Sequence, residues 1–142
     1  MSKPKVFLDT SVILDLLRGD PTAAELLSDD SLAKYTYVTS PIVLQELLLV
    51  GARAGRHMDL SAVEPHISIL PLEYIRDSRA LQDRVRRLRN RIVHSNDALI
   101  VASADAAGCD YLVTMDRDLI AGAESCGLIA LEPAALLEAK ER

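Results

Sequence analysis

Short apolar runs alternate with amphipathic segments along nearly the whole chain. Runs rich in Val, Ile, Leu, Phe and Tyr are typical of buried strands. They occur at residues 6–8, 34–39, 67–72, 111–114 and 127–131. Apolar positions at helical spacing predict helices between them. These lie at residues 12–17, 23–27, 41–54, 73–89 and 97–107, with a last helix from Pro133. The alternation predicts an α/β fold, a three-layer α/β/α sandwich around a central, mostly parallel five-stranded sheet.

Small polar side chains precede several of the predicted helices. Such side chains cap helix N-termini by accepting backbone N–H bonds. The predicted caps are Thr10 with Ser11, Thr22, Ser40 and Asn96. Gly108 ends the helix at residues 97–107, as glycine commonly does. Residues 55–66 fit no element pattern.

Length and composition narrow the class of protein. The chain has 142 residues, which suits a single domain at residues 1–142. Although 49% of the residues are hydrophobic, no apolar run approaches the roughly 18 residues of a membrane span. The first strand starts too early to leave room for a signal peptide, so we expect a cytoplasmic protein with no membrane partner. Cys109 and Cys126 lack metal-ligand and CxxC spacing, which favours free thiols over a disulfide.

Two aspartates follow predicted strands. Asp9 stops the first apolar run, so we expect its carboxylate at a strand's carboxyl end, where open α/β sheets bind ligands. Asp116 follows the strand at residues 111–114 by two residues, and a turn is the alternative role for it. If the two strands are neighbours, the two carboxylates converge.

Two further acids lie within apolar helices. Glu46 has apolar residues three and four positions away on both sides, and a charge there is costly unless it is paired or binds a metal. The alternative is that Glu46 emerges at a gap in a helix that is apolar nearly all round. Asp97 lies in a first helical turn, where the helix dipole alone favours an acid. The Ala-, Leu- and Ile-rich helix behind it predicts that this helix start points into the molecule.

Convergent carboxylates suggest a specific chemistry. They remain ionised together only around cations, and oxygen ligands without His or Cys select Mg²⁺ or Mn²⁺. Such a site suits phosphodiester hydrolysis by a metal-activated water. The sequence has no GxSxG motif, and its three histidines show no paired spacing, so no covalent nucleophile is indicated.

Four segments together resemble PIN-domain ribonucleases, and more narrowly the VapC-type toxins of bacterial and archaeal toxin–antitoxin pairs. They are FLDTSVI at 7–13, VLQEL at 43–47, NDALIVA at 96–102 and LVTMDRD at 112–118. The resemblance implies a PIN-like fold and a Mg²⁺- or Mn²⁺-dependent endoribonuclease that acts on single-stranded or loop RNA. It also implies a homodimer, inhibited by a small antitoxin whose C-terminal segment covers the active-site groove.

The resemblance also assigns roles to individual residues. The catalytic and metal-binding acids that it implies are Asp9, Glu46, Asp97 and Asp116. It implies that Asp118 is an auxiliary acid, and that Ser11 or Thr114 supplies a supporting hydroxyl.

An arginine-rich stretch is the candidate RNA-binding surface. The chain carries a net charge of −5, yet seven arginines against three acids give residues 73–91 a charge of +4. This imbalance suggests phosphate contacts beside a metal site. An ordinary solvated helix face is the alternative, since Asp83 and Arg87 have favourable i,i+4 spacing. The residues predicted to contact RNA or antitoxin are Arg84, Arg86, Arg87, Arg89 and Arg91.

Other functions fit less well. A PIN-domain nuclease in RNA processing, without an antitoxin, would show the same motifs. A receiver domain needs an acidic pair after its first strand and a late lysine, and the chain lacks both. A haloacid-dehalogenase-type phosphatase needs a second aspartate two residues after Asp9, where Ser11 stands.

Overall fold

Five strands and seven helices make up the described part of a computed structural model, which covers residues 2–56, 58–69 and 95–139. The strands are β1 Lys5–Leu8, β2 Thr36–Thr39, β3 Ile67–Ile69, β4 Tyr111–Val113 and β5 Ala130–Leu131. The helices are α1 Thr10–Leu17, α2 Pro21–Glu25, α3 Asp29–Lys34, α4 Pro41–Arg53, α5 Ser95–Ala106, α6 Arg117–Ser125 and α7 Pro133–Ala139. A 3₁₀ turn at Glu64–His66 leads into β3.

The five strands form one parallel sheet in the order β3-β2-β1-β4-β5, which confirms the predicted α/β fold. In the central strand β1, Phe7 lies between Val38 of β2 and Leu112 of β4. Val6, Phe7 and Leu8 are all completely buried, so both faces of the sheet are covered. This two-sided burial explains why the strands appear as continuous apolar runs.

The helix α5 is largely buried, as its composition predicted. Four of its residues, Ala98, Ile100, Val101 and Ala102, are at most 1% exposed. After α5, Gly108 has a φ of +70°, a conformation that glycine adopts without strain. The helix therefore ends where the sequence predicted.

Several predicted caps are wrong. The cap position of α1 is Asp9, and the hydroxyls of Thr10 and Ser11 bond to carboxylates instead. The cap of α2 is Asp20 rather than Thr22, because Asp20 Oδ2 accepts the N–H of Ala23 at 2.9 Å.

Two other caps also differ from the prediction. Ser40 occupies the cap position of α4, but its side chain makes no cap bond. The helix α5 starts at Ser95, so Asn96 lies within the helix rather than before it.

Element boundaries show further differences. The helices α3 and α6 were not predicted, and β5 is only two residues long. Ser28 caps α3 by accepting the N–H of Ser31. The strand β3 is described as far as Ile69, and the predicted helix at residues 73–89 lies outside the described residues.

Two predictions from composition can be compared with the described residues. Cys109 and Cys126 are free thiols, as predicted. Within the described ranges, no helix combines the length and the apolar character needed to cross a membrane.

Candidate active site

The site forms at the carboxyl ends of the two central strands. Leu8 of β1 pairs with Val113 of β4, and the Asp9 N–H donates to the Val113 carbonyl at 3.0 Å. The strands before Asp9 and Asp116 are therefore neighbours, as convergence of the two carboxylates requires. Parallel sheets open their ligand crevice at this edge.

Asp9 is a buried carboxylate held by hydroxyl groups. It is 6% exposed, and its Oδ2 accepts the hydroxyl of Thr114 at 2.7 Å and that of Ser11 at 3.3 Å. Burial raises the pKa of Asp9 above its ordinary value, and the charge of Asp116 raises it further. The hydrogen bonds from Thr114, the Thr10 backbone and Ser11 act in the opposite direction. Asp9 is thus costly to ionise, and its hydroxyl donors offset part of that cost.

Ser11 and Thr114 also join the two strand ends. Thr114 Oγ1 accepts the N–H of Asp116 at 3.1 Å, while Ser11 Oγ accepts the N–H of Met115 at 3.0 Å. Each hydroxyl therefore bonds to the Asp9 carboxylate and to the backbone that follows β4. These contacts fit the supporting role that the resemblance assigned to both side chains.

Asp116 is exposed at the start of α6. Its Oδ1 accepts the backbone N–H groups of Asp118 at 2.9 Å and Leu119 at 3.4 Å, so it caps the helix. Asp116 therefore caps α6, and its charge also raises the pKa of Asp9. The contact with Asp118 runs through the Asp118 backbone, and the Asp118 residue is exposed.

Glu46 is half-buried on α4 and faces α1. Its Oε2 accepts the hydroxyl of Thr10 at 3.0 Å, whereas its Oε1 is buried with no hydrogen-bond partner among the described residues. Burial raises the pKa of Glu46, the Thr10 bond lowers it, and the charges of Asp9 and Asp97 raise it.

The environment of Glu46 differs from the one inferred from its neighbours. The buried stripe of α4 is Val43, Leu47 and Gly51, whereas Leu49 and Val50 are 56% and 37% exposed. Of the two interpretations of Glu46, a buried apolar stripe centred on it is therefore wrong. Glu46 lies beside the true stripe, where it is half-buried against α1.

Asp97 is half-buried in the first turn of α5. Its charge raises the pKa of Glu46, as the charge of Asp9 does. Asp9 is coupled in turn to Asp116. The charges of Asp9 and Asp97 thus act on Glu46, and the charge of Asp116 acts on Asp9.

The chemistry of these carboxylates suits a hard divalent cation. All the donors are oxygens, and the unpartnered Glu46 Oε1 is buried at the site. Carboxylates repel one another when no cation lies between them. Across the described ranges, no three His, Cys, Asp or Glu side chains are close enough to hold one ion together. The donor set therefore suits the cation, although its side chains are not assembled around a single point.

A groove of about 490 Å³ lies between the C-terminal parts of α1 and α4. Leu14 lies four residues after Thr10 on α1, and Val50 lies four residues after Glu46 on α4. Residues four apart share one helix face. The groove is lined by Leu14, Leu17, Arg18, Val50, Ala54, Arg56, Met58 and Asp59.

An open parallel sheet with carboxylates at the ends of its central strands defines an α/β protein with an acidic crevice. The chain belongs to the PIN domain family, whose model matches residues 6–124. The matched segment includes Asp9, Glu46, Asp97 and Asp116. This membership confirms the resemblance to PIN domains.

Solved structures share the fold. VapBC2 from Rickettsia felis, bound to a promoter DNA fragment, matches with a TM-score of 0.69 and 20% identity over 90% of this chain and 98% of its own. A toxin–antitoxin complex from Klebsiella pneumoniae matches with a TM-score of 0.64 and 19% identity, covering 90% and 97%. Mycobacterium tuberculosis VapC20, a sarcin–ricin loop cleaving toxin, gives 0.56 and 20%, covering 90% and 99%. Comparison with curated proteins yielded no match.

The predicted arginine surface cannot be compared with the structure. Its five residues lie outside the described residues. They are Arg84, Arg86, Arg87, Arg89 and Arg91. Their contact with RNA or antitoxin stays a prediction.

Proposed function

We propose that the chain is a Mg²⁺- or Mn²⁺-dependent endoribonuclease that acts as the toxin of a type II toxin–antitoxin pair. The observation that carries the proposal is the pair of acids beside Thr10, the buried Asp9 at the carboxyl end of β1 and Glu46 on α4, whose Oε1 has no partner among the described residues. Membership of the PIN domain family supports nuclease activity. One solved structure of the same fold is of a toxin that cleaves an RNA loop, which supports RNA as the substrate class.

The proposed mechanism assigns a part to each acid. Asp9, Glu46, Asp97 and Asp116 would supply oxygen ligands to the cation, whose binding would have to draw their side chains together. When bound, that cation supplies an activated water and offsets negative charge on the scissile phosphate and the leaving oxygen. Asp9 provides a buried carboxylate whose orientation is fixed by two hydroxyls. Glu46 provides its unpartnered Oε1 from the opposite helix.

The central test is Asp97→Asn, which keeps the side chain's shape and removes its charge. We expect cleavage of a structured RNA with Mn²⁺ to fall by about 100-fold or more, since even residues behind metal ligands cost 10- to 100-fold when they are changed. Asp29→Asn is the matched control, because Asp29 is an exposed acid in the first turn of α3. Cleavage by Asp97→Asn at the parental rate would contradict the model, and chelator should abolish parental activity.

An antitoxin partner forms the second part of the proposal. Several solved structures with this fold are toxin–antitoxin complexes. The groove between α1 and α4 suits a segment of such a partner, because it combines apolar residues with two arginines and Asp59. A short polypeptide encoded beside this gene should therefore bind the chain and inhibit RNA cleavage.

The groove can be tested with Val50→Asp. Val50 is 37% exposed, so the substitution adds a charge to the groove without entering the core. We expect weaker binding of the antitoxin and unchanged RNA cleavage. Undiminished binding would remove the groove from the proposal.

A processing nuclease without an antitoxin would instead show no toxicity on expression. Homodimerisation and a cytoplasmic location stay predictions.

A further inference from the structure

Thr10 lies between two of the site's carboxylates. Its Oγ1 donates to Glu46 Oε2 at 3.0 Å, and its backbone directly follows Asp9 at the start of α1. We propose that Thr10 is a positioning residue, which aims the free oxygen of Glu46 towards the cation that Asp9 also binds. This inference rests on the proposed function, because it assumes that a cation binds between these acids.

The geometry gives Thr10 this role through two different atoms. Thr10 is the first residue of α1 and directly follows Asp9, so its backbone moves with the carboxyl end of β1. Its hydroxyl bonds to Glu46 on α4, which lies 36 residues later in the sequence. Thr10 therefore links the carboxyl end of β1 to Glu46 by a hydrogen bond, in addition to the packing of α1 against α4.

The remaining oxygen of Glu46 is the part of the arrangement that points to a ligand. With Oε2 held by Thr10, Oε1 is buried and has no hydrogen-bond partner among the described residues. A buried acceptor left without a partner is costly, more so when it carries charge. A divalent cation at Oε1 would satisfy it. The Thr10 bond thus decides which oxygen is left for the ligand.

A purely structural role for Thr10 makes a different prediction. Thr39 provides the comparison, because its buried Oγ1 donates to the Leu8 carbonyl at 2.9 Å and joins β2 to β1. Loss of such a bond should lower the melting temperature and leave cation binding nearly unchanged. If Thr10 only joins α1 to α4, then Thr10→Val should behave as Thr39→Val does.

The experiment measures Mn²⁺ binding by calorimetry on the full chain without RNA. Thr10→Val keeps the shape of the side chain and removes its hydroxyl, so we expect about tenfold weaker binding, typical of lost support behind a metal ligand. Thr10→Ser keeps the hydroxyl and should restore binding close to that of the parent. Thr22→Val is the control, since Thr22 is exposed on α2. Thermal unfolding in chelator shows whether each variant is folded.

Each outcome decides between the hypotheses. Parental Mn²⁺ affinity in Thr10→Val would overturn the positioning role, as would a Thr10→Ser variant as weak as Thr10→Val. If Asp97→Asn abolishes binding while Thr10→Val does not change it, only the inference about Thr10 fails. If the parent binds no Mn²⁺, or Asp97→Asn binds as the parent does, the proposed metal site fails as well.

Discussion

The two ends of the parallel sheet use polar groups in opposite ways. At the amino end, the Lys5 N–H donates to Asp110 Oδ2 at 2.8 Å, and Lys5 Nζ donates to the Ala107 carbonyl at 3.0 Å. Tyr35 packs there against the edge of Tyr111, with ring centroids 6.3 Å apart. These contacts pair complementary groups, and they satisfy the backbone where the strands begin.

At the carboxyl end, groups of the same charge are gathered instead. Burial and neighbouring acids raise the pKa of Asp9 and Glu46, and one buried oxygen of Glu46 has no partner among the described residues. Such an arrangement lowers stability when no cation is bound. Proteins commonly retain strained or destabilising arrangements where they serve function. The contrast supports a binding role for the carboxyl end and a structural role for the amino end.

The largest effect should come from Asp9→Asn. We expect RNA cleavage to fall by about 100-fold or more, because the variant loses the charge of a proposed metal ligand. In chelator at pH 7, however, the same variant should melt about 2 °C or more above the parent, since a repelling buried charge is removed.

The matched change at the other end of the sheet is Asp110→Asn. It weakens the bond to the Lys5 N–H and should lower the melting temperature while leaving the cleavage rate unchanged. The contrast between the two ends would break down if Asp9→Asn and Asp110→Asn shifted stability in the same direction.

Thr114→Val should have the next largest effect. It removes the 2.7 Å bond to Asp9 and the acceptor of the Asp116 N–H, and Thr114 is completely buried. We expect a loss of about 1–3 kcal/mol in the free energy of unfolding, because the buried Asp9 carboxylate loses a hydroxyl donor, and about tenfold weaker Mn²⁺ binding. Urea unfolding and calorimetry measure the two quantities. Thr36→Val, at an exposed position of β2, should change neither.

A smaller effect should appear in the dependence of stability on pH. The folded-state pKa values of Asp9 and Glu46 lie above their ordinary values of 3.8 and 4.5. Between the ordinary and the raised values, the folded state binds more protons than the unfolded state, so these groups add stability as the pH falls. Above the raised values, their destabilising contribution is fully present.

Melting temperatures in chelator measure this dependence. The difference between the parent and an Asp9→Asn, Glu46→Gln double variant isolates the two groups from all other titrations. We expect the double variant's advantage in melting temperature to shrink as the pH falls from 7 towards 4.5. A constant difference over this interval would show that the two acids are not perturbed as described.

The sequence predicted the sheet better than it predicted the local contacts of the acidic residues. Apolar runs at residues 6–8 and 111–114 identify central strands because burial on both faces leaves a continuous apolar run in the chain. The role of Thr10 leaves no such signal. A hydroxyl at a helix start fits a cap equally well, and only the packing of α1 against α4 reveals that it faces Glu46.

The same reasoning explains the error at Glu46. Its apolar neighbours indicated a buried stripe, yet Leu49 and Val50 are exposed on α4. Sequence spacing shows which residues share a helix face, but it does not show which face the rest of the fold covers. The burial of α5 behind Asp97 was predicted better. This helix is apolar on nearly all sides, so the prediction depended less on which face the fold covers.

The smallest effect should come from Asp118→Asn. The resemblance implied an auxiliary acid here, but the contact that the structure shows between Asp118 and Asp116 runs through the Asp118 backbone N–H. Because asparagine keeps that N–H and the cap of α6, we expect RNA cleavage within about twofold of the parent, well below the 10-fold change typical of support behind a metal ligand. Cleavage rates at saturating and limiting Mn²⁺ test this. A fall of tenfold or more that appears only at limiting Mn²⁺ would show that the Asp118 carboxylate contributes to cation binding. The set of acids at the site would then extend beyond Asp116.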